Sequence, residues 1–317
     1  MTRYQLLNNW PDLPANFKLG NPTGIGIDAN QNIFIFHRAG REFTSLESIP
    51  VTGIPSETIL MLDRDSGKIL DRWGDNLFIM PHGLTVDTDD NIWVTDVGSH
   101  QVFKFSHAGT LLMKIGEANV PGSDSTHFHH PTDVAITKDG SFYVSDGYGN
   151  SRIIKFSSTG QYLFEWGQKG DKEGEFNLPH AIDLDNEENV YVADRENRRI
   201  QVFTPKGKFI KQWAECFGKI SSVVFDKEKK GFIAVDYSTS LSDEVLGSEL
   251  ILFDPSGNVS TKFGKKEGEK CWYHNVAIDN QENIYVTDIL RNRIQKFKKT
   301  PAINKERPTQ NIRDKTT

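Results

Sequence analysis

The sequence predicts an all-β protein, a six-bladed β-propeller. Three observations carry that expectation. A unit of four short strands separated by turn residues recurs six times along the chain, and its starts lie about 40 to 60 residues apart, the spacing of propeller blades. The composition, with 26 Gly, 20 Phe and 6 Trp in 317 residues, suits a turn-rich, aromatic-cored fold. Each unit also opens on the same short pattern, most plainly Pro81-His82-Gly83-Leu84-Thr85-Val86-Asp87 and Pro179-His180-Ala181-Ile182-Asp183-Leu184-Asp185.

The clearest unit runs Pro131-Thr132-Asp133-Val134-Ala135-Ile136, then Ser141-Phe142-Tyr143-Val144-Ser145-Asp146, then Arg152-Ile153-Ile154-Lys155-Phe156, and closes with Tyr162-Leu163-Phe164-Glu165-Trp166-Gly167. Asp139-Gly140, Gly149-Asn150 and Thr159-Gly160 supply the turn residues between them. The same pattern opens near Pro22, at Pro81 and Pro179, near Ile220 and at Tyr273. Two units carry insertions, at about residues 39–57 and 238–248, which read as long loops suited to lids or substrate contacts.

The sixth unit ends at its third strand, Arg293-Ile294-Gln295-Lys296-Phe297, while an unassigned strand-like piece, Tyr4 to Trp10, stands at the N-terminus. Ring closure follows: the N-terminal strand completes the last blade and removes its open edge. The propeller is therefore assigned to residues 1–297. Residues 298–317, with six basic and two acidic side chains and few apolar ones, are expected to form a disordered basic tail.

Bulk properties exclude several function classes. A net charge of −6 disfavours nucleic acid and anionic membranes as partners, and no stretch has the roughly 20 apolar residues of a membrane span. Cys216 and Cys271 make neither a disulfide framework nor a thiolate zinc motif. The first residues lack the pattern of a signal peptide, so a cytoplasmic protein is expected, and a monomer.

The Asn/Arg-x-Arg-Ile pattern of Asn150-Ser151-Arg152-Ile153, Asn197-Arg198-Arg199-Ile200 and Arg291-Asn292-Arg293-Ile294, with Tyr-Val-x-Asp before it, resembles the NHL repeat. That resemblance covers about residues 20–297 and implies the same six blades. Because Arg152, Arg199 and Arg293 recur by repeat position, a structural role between blades is expected for them.

Repeat position also gives three histidines a common address. His82, His180 and His274 open the first strands of blades two, four and six, and in a propeller those strands line the central channel. The odd blades carry Thr23, Thr132 and Ser221 there. Three imidazoles from alternate blades converge on the axis, the pattern of a divalent metal site, with zinc preferred and a fourth position open for chemistry. The other six histidines, including His100, His107 and the His127–His130 cluster, read as surface or loop residues.

The end of each second strand returns to the same face. Aligning the units puts Arg38 and Arg195 at one repeat position in opposite blades, an arrangement suited to gripping a small carboxylate substrate. Tyr148 follows one position later in blade three. A phenol beside a metal and two cations has its pKa lowered and can act as a base.

These motifs, above all Asp146-Gly147-Tyr148-Gly149-Asn150-Ser151-Arg152, Phe36-His37-Arg38 and Ala193-Asp194-Arg195-Glu196-Asn197, look like those of the peptidyl-α-hydroxyglycine α-amidating lyases. The resemblance implies zinc on His82, His180 and His274, Tyr148 as base, and Arg38 and Arg195 on the substrate. It also implies a calcium ion held by the backbone carbonyls of Ile25 and Leu84 and by an acid that here is Asn275. Loss of that charge weakens a hard-cation site. The disulfide that the resemblance implies beside the tyrosine cannot form, since Gly149 replaces the cysteine. The expected reaction is zinc-dependent cleavage of the C–N bond of an N-acyl-α-hydroxyglycine to an amide and glyoxylate. Two other readings stay open: an NHL-type scaffold that binds protein or RNA without catalysis, and a lactonase-like hydrolase, whose usual acidic and amide calcium ligands the histidine ring disfavours.

Overall fold

A computed structural model describes residues 3–214, 217–228, 230–264 and 268–300. Cys216 lies outside them. The described residues form six antiparallel sheets of four strands each, the blades of a propeller.

Blade three shows why the sequence folds this way. Its strands Asp133–Ile136, Phe142–Asp146 and Arg152–Phe156 are almost wholly buried, whereas the fourth, Tyr162–Trp166, alternates exposed and half-buried residues. The first three strands read as nearly continuous apolar runs because both of their faces meet neighbouring blades. The outer strand faces solvent on one side and so carries the period-two pattern. Leu70, Leu111, Leu163, Ile210 and Val259, all on outer strands, are among the apolar side chains this leaves exposed.

Adjacent blades interlock through one recurring contact. A Cβ placed on Gly109, Gly207 or Gly257 would fall 2.9, 2.8 and 2.4 Å from the rings of Trp73, Trp166 and Trp213, the outer-strand tryptophans of the preceding blades. Each of these glycines also has positive φ, +79°, +74° and +89°, in the last hairpin of its blade. Only glycine satisfies both the turn and the indole lying on it.

The N-terminal strand, Arg3–Leu6, pairs antiparallel with Arg293–Thr300 and closes the ring as the fourth strand of blade six. The partner strand runs to Thr300, so the boundary expected at residue 297 moves outward by three residues: Arg3 pairs with Thr300 and Leu6 with Phe297. Lysines 298 and 299 belong to a sheet, and residues 301–317 lie outside the described residues. Trp10 lies beyond the short first strand. Its indole donates to the Arg64 carbonyl at 3.0 Å and meets Tyr285 edge-on at 5.1 Å.

The two insertions differ. Residues 39–57 form an irregular loop with one short 3₁₀ turn, Leu46–Ser48, as expected. The segment 238–248 is not a loop. The strands Gly231–Thr239 and Val245–Phe253 run longer than their counterparts and continue their pairing through Tyr237–Ser248 and Ser238–Gly247 to Thr239–Val245. Backbone ladder bonds extend the hairpin although its side chains, Ser238 to Ser242, have turn character.

Arg152 and Arg199 take the structural role expected of their repeat position. Arg152 Nε meets Asp146 Oδ2 at 3.0 Å, and its other nitrogens reach the carbonyls of Asp124 and His127 on the segment arriving from blade two. Arg199 repeats this with Asp194 at 2.7 Å and the carbonyls of Lys172 and Glu175. Arg293 keeps the pair with Asp288 at 2.9 Å. Each arginine binds its own blade to the chain entering it.

Candidate active site

The channel-lining strands Pro81–Val86, Pro179–Leu184 and Tyr273–Ile278 carry His82, His180 and His274 to one point on the axis. Their ring centroids are 4.7, 4.7 and 4.9 Å apart, and all three side chains are buried. One nitrogen from each lies within 4.8 Å of the other two.

A second repeat fixes how these rings are used. His82 Nδ1 faces the Thr132 carbonyl at 2.6 Å, His180 Nδ1 the Ser221 carbonyl at 2.7 Å, and His274 Nδ1 the Thr23 carbonyl at 2.7 Å. A carbonyl can only accept, so each Nδ1 carries the proton and each Nε2 presents its lone pair inward. The odd-blade residues aligned with the histidines thus orient them. Burial lowers the pKa of all three rings, that of His274 to about 3; the Arg195 guanidinium adds to the effect on all three, Arg38 on His82 and His274, and the neighbouring histidines on His82 and His180. Neutral imidazoles with their tautomers fixed form a donor set that fits a divalent metal.

Tyr148 closes one side of this ring. Its hydroxyl is 3.2 Å from Nε2 of His82, 3.2 Å from Nε2 of His180 and 3.4 Å from Arg195. The Arg195 guanidinium also lies over the tyrosine ring, 5.4 Å from its centroid. Glu196 holds Arg195 through Nε at 3.0 Å and is itself held by Lys219 at 2.9 Å. Burial works against the Arg195 charge, but Tyr148, Tyr237 and Glu196 outweigh it and raise its pKa. Arg38, 4% exposed, donates from Nε to the Pro81 carbonyl at 3.2 Å. Burial brings its pKa down to about 10, against the pull of Tyr148 and Asp96, so it stays a cation at neutral pH.

All six residues expected at the zinc and substrate sites therefore converge. The residues expected to hold calcium differ in chemistry rather than in place. Ile25 and Leu84 sit on adjacent channel strands, but Asn275 Oδ1 already accepts from the Val276 N–H at 2.7 Å and the Ser222 hydroxyl at 3.3 Å. A neutral oxygen so engaged does not fit a hard cation that prefers carboxylates.

The structure adds residues that the sequence reading passed over. Phe43, from the loop 39–57, lies 5.2 Å from the Arg38 guanidinium and 6.4 Å from the Tyr148 ring. Tyr237 interacts electrostatically with Arg195 and Tyr148, and Trp272 packs on it at 4.7 Å. Tyr237 carried a signal: it occupies the repeat position of Arg38 and Arg195. His100 and His130 lie in a turn and a bend, as expected of loop residues, but neither is on the surface: both are buried and pack on one another at 4.2 Å. His129 lies over Gly149, where a Cβ would meet its ring at 2.2 Å, and the His129 carbonyl accepts the Gly149 N–H at 2.9 Å. Beside Tyr148, a cavity of about 470 Å³ runs between blades three and four, lined by Asn150, Lys169, Asn177 and Leu178 but by none of the three histidines.

With this geometry in hand, the chain can be set beside known proteins. The NHL repeat model matches residues 78–105, 128–156 and 176–203, which lie in blades two, three and four. The chain is 35% identical over 312 residues to peptidyl-glycine alpha-amidating monooxygenase B of Xenopus laevis, covering 93% of this chain and 35% of that protein. It is 34% identical over 326 residues to peptidyl-alpha-hydroxyglycine alpha-amidating lyase 1 of Drosophila melanogaster, covering 93% of this chain and 59% of that protein. The chain thus spans about a third of the frog relative and less than two thirds of the fly one. A solved structure of virginiamycin B lyase from Staphylococcus aureus, 17% identical, superposes with a TM-score of 0.58 over 96% of this chain and 90% of its own, a likeness of fold. The chain carries NHL repeats in a six-bladed β-propeller and has homologues, 34–40% identical to it, that are named peptidyl-alpha-hydroxyglycine alpha-amidating lyases.

Proposed function

We propose that this protein is a zinc-dependent lyase that cleaves the C–N bond of an N-acyl-α-hydroxyglycine, releasing an amide and glyoxylate. The observation that carries the reading is the Tyr148 hydroxyl, set 3.2 Å from two inward-facing histidine nitrogens and 3.4 Å from a buried arginine. A base, a metal donor set and carboxylate-binding cations meet at one point. The names of the relatives support the same chemistry.

His82, His180 and His274 hold the metal. Zinc is the ion that three neutral imidazoles suit, and when bound it supplies a Lewis acid toward the substrate hydroxyl. Arg38 and Arg195 bind the substrate carboxylate and hold the reacting carbon in place. Tyr148 takes the proton of the α-hydroxyl. The O–H electron pair becomes the second bond of the new aldehyde, the C–N bond breaks, and its electron pair leaves on the amide nitrogen, which takes up a proton. The fixed guanidiniums oppose the negative charge that builds up on oxygen.

The test is release of glyoxylate from α-hydroxyhippurate by metal-replete protein. Turnover is expected, with its loss in His82→Ala, in Tyr148→Phe and after chelation. No glyoxylate above those controls would sink the reading.

A further inference from the structure

The open side of the site is set by what already covers the rest. Tyr148 lies against His82 and His180 but makes no contact with His274. His274 belongs to blade six, beside blade five, the part of the ring that Tyr148 does not reach by a hydrogen bond. Two aromatic side chains of these two blades face one another. Tyr237 lies on the second strand of blade five, paired with Lys219 and Ser248, at the repeat position of the substrate arginines Arg38 and Arg195, and is 4% exposed. Trp272 comes two residues before His274 and is half-buried. Their rings pack at 4.7 Å with 39° between the planes. Leu178, two residues before His180 and so at the same repeat position as Trp272, lines the cavity beside Tyr148.

Backbone contacts hold Trp272 at this point. Its N–H donates to Asp288 Oδ1 at 2.9 Å and its carbonyl accepts the Ile289 N–H at 3.0 Å. Tyr237 lies behind it, fully packed, and reaches Arg195 and Tyr148 through its charge interactions. The indole thus packs on Tyr237 while staying half-buried.

From this placement we infer that Trp272 is the specificity-determining wall of the substrate site, that Tyr237 positions it, and that the favoured substrates carry an aromatic acyl group next to the scissile C–N bond. The inference rests on the lyase reading. With the carboxylate on Arg38 and Arg195 and the hydroxyl at the histidine ring, the acyl group is the part of the substrate left to meet blades five and six. An aromatic ring gains both buried area and offset or edge-on packing against an indole, which a methyl group cannot match.

The experiment compares N-benzoyl- and N-acetyl-α-hydroxyglycine, with metal-replete wild-type protein and the Trp272→Ala, Trp272→Phe and Tyr237→Leu variants. For the wild type, kcat/KM should favour the benzoyl substrate by about tenfold, carried by KM. Trp272→Ala and Tyr237→Leu should erase most of that ratio, and Trp272→Phe should keep most of it. Equal loss on both substrates, or a wild-type preference for acetyl, would overturn the inference. A second readout separates it from the lyase reading: calorimetric binding of the unreactive N-benzoylglycine and N-acetylglycine. If neither substrate turns over but N-benzoylglycine binds about tenfold more tightly and Trp272→Ala abolishes the difference, the wall stands and the reaction falls. Equal binding of the two acylglycines overturns the wall.

Discussion

Tyr148 and His82 meet hydroxyl to Nε2 at 3.2 Å, and His82 turns its other nitrogen, Nδ1, to the Thr132 carbonyl at 2.6 Å. The phenol therefore faces a lone pair whose direction is set from behind by the next blade. This relationship separates two jobs: the imidazole is oriented by the Thr132 carbonyl, and the tyrosine meets it from a loop whose Tyr148 and Gly149 N–H groups donate to the His130 and His129 carbonyls.

Tyr148→Phe should accordingly leave metal binding intact and remove the base. Metal stoichiometry by elemental analysis is expected to match that of the wild type, while kcat falls by about 10²–10⁴. His82→Ala should lose both metal and turnover. Loss of metal from Tyr148→Phe would show that the hydroxyl supports the metal site rather than the proton transfer.

Arg195 and Arg199 are four residues apart and do unrelated work. Arg199 is paired with fully buried Asp194 at 2.7 Å, and removing it strands that carboxylate. Breaking such a buried pair costs about 3–5 kcal/mol, so Arg199→Ala should unfold at clearly lower denaturant than the wild type. Arg195→Ala removes a cation from the site, and its partners Glu196 and Lys219 still have each other at 2.9 Å. It should lose turnover with a much smaller change in denaturation midpoint. Equal stability losses in the two variants would contradict this division.

Repeat position explains why so much was legible in the sequence. In a ring, a residue's place within the repeat fixes its height on the axis and the blade number fixes its angle, so His82, His180 and His274 could be brought together without coordinates. Arg38 and Arg195 followed by the same logic. Trp272 was hidden because it belongs to a connection whose residues vary between blades, and Tyr237 because a lone aromatic at a shared position reads as packing. The extended hairpin was misjudged for another reason. Ladder bonds are made by the backbone, so Ser238, Thr239 and Ser240 signal a turn while two of them still pair. Likewise Lys298 and Lys299 resemble a tail, yet lysines are at home on strands near a sheet edge.

Two histidines away from the metal ring set a pH dependence of stability. Burial brings His37 down to about 4, and burial with its neighbours His130 and His129 does the same for His100. In the unfolded chain both titrate near 6.5. Above that value neither form binds the proton and the two groups contribute no slope. Between about 6.5 and 4 the unfolded chain takes up protons that the native protein refuses, so stability falls as pH falls, by roughly 3 kcal/mol for His37. Asp133 and Asp183, raised to about 8 and about 6, take up protons in the native state over the same range and act in the opposite sense, so the histidine contribution is read as a difference: from pH 7 to pH 4.5 the wild-type Tm by calorimetry should fall relative to that of His37→Leu, and parallel curves would contradict the burial of His37.

Asn275 decides whether the channel depends on calcium. Its Oδ1 is committed to the Val276 N–H and the Ser222 hydroxyl, and the residue is neutral where a hard cation needs charge. Purified wild-type protein is expected to hold no stoichiometric calcium, and a calcium-selective chelator should leave its Tm unchanged. Asn275→Asp restores the acid in a channel that already holds the buried carboxyls of Asp133 and Asp183, whose pKa values burial raises to about 8 and about 6. An added carboxylate there should destabilise the calcium-free variant by about 1–3 kcal/mol. Calcium that binds only the native state then recovers that loss in proportion to its concentration over Kd. The measurement is Tm of wild type and Asn275→Asp with and without calcium: a rise confined to the variant supports the argument. A rise of several degrees in the wild type would mean that Asn275 releases its hydrogen bonds to ligate the ion.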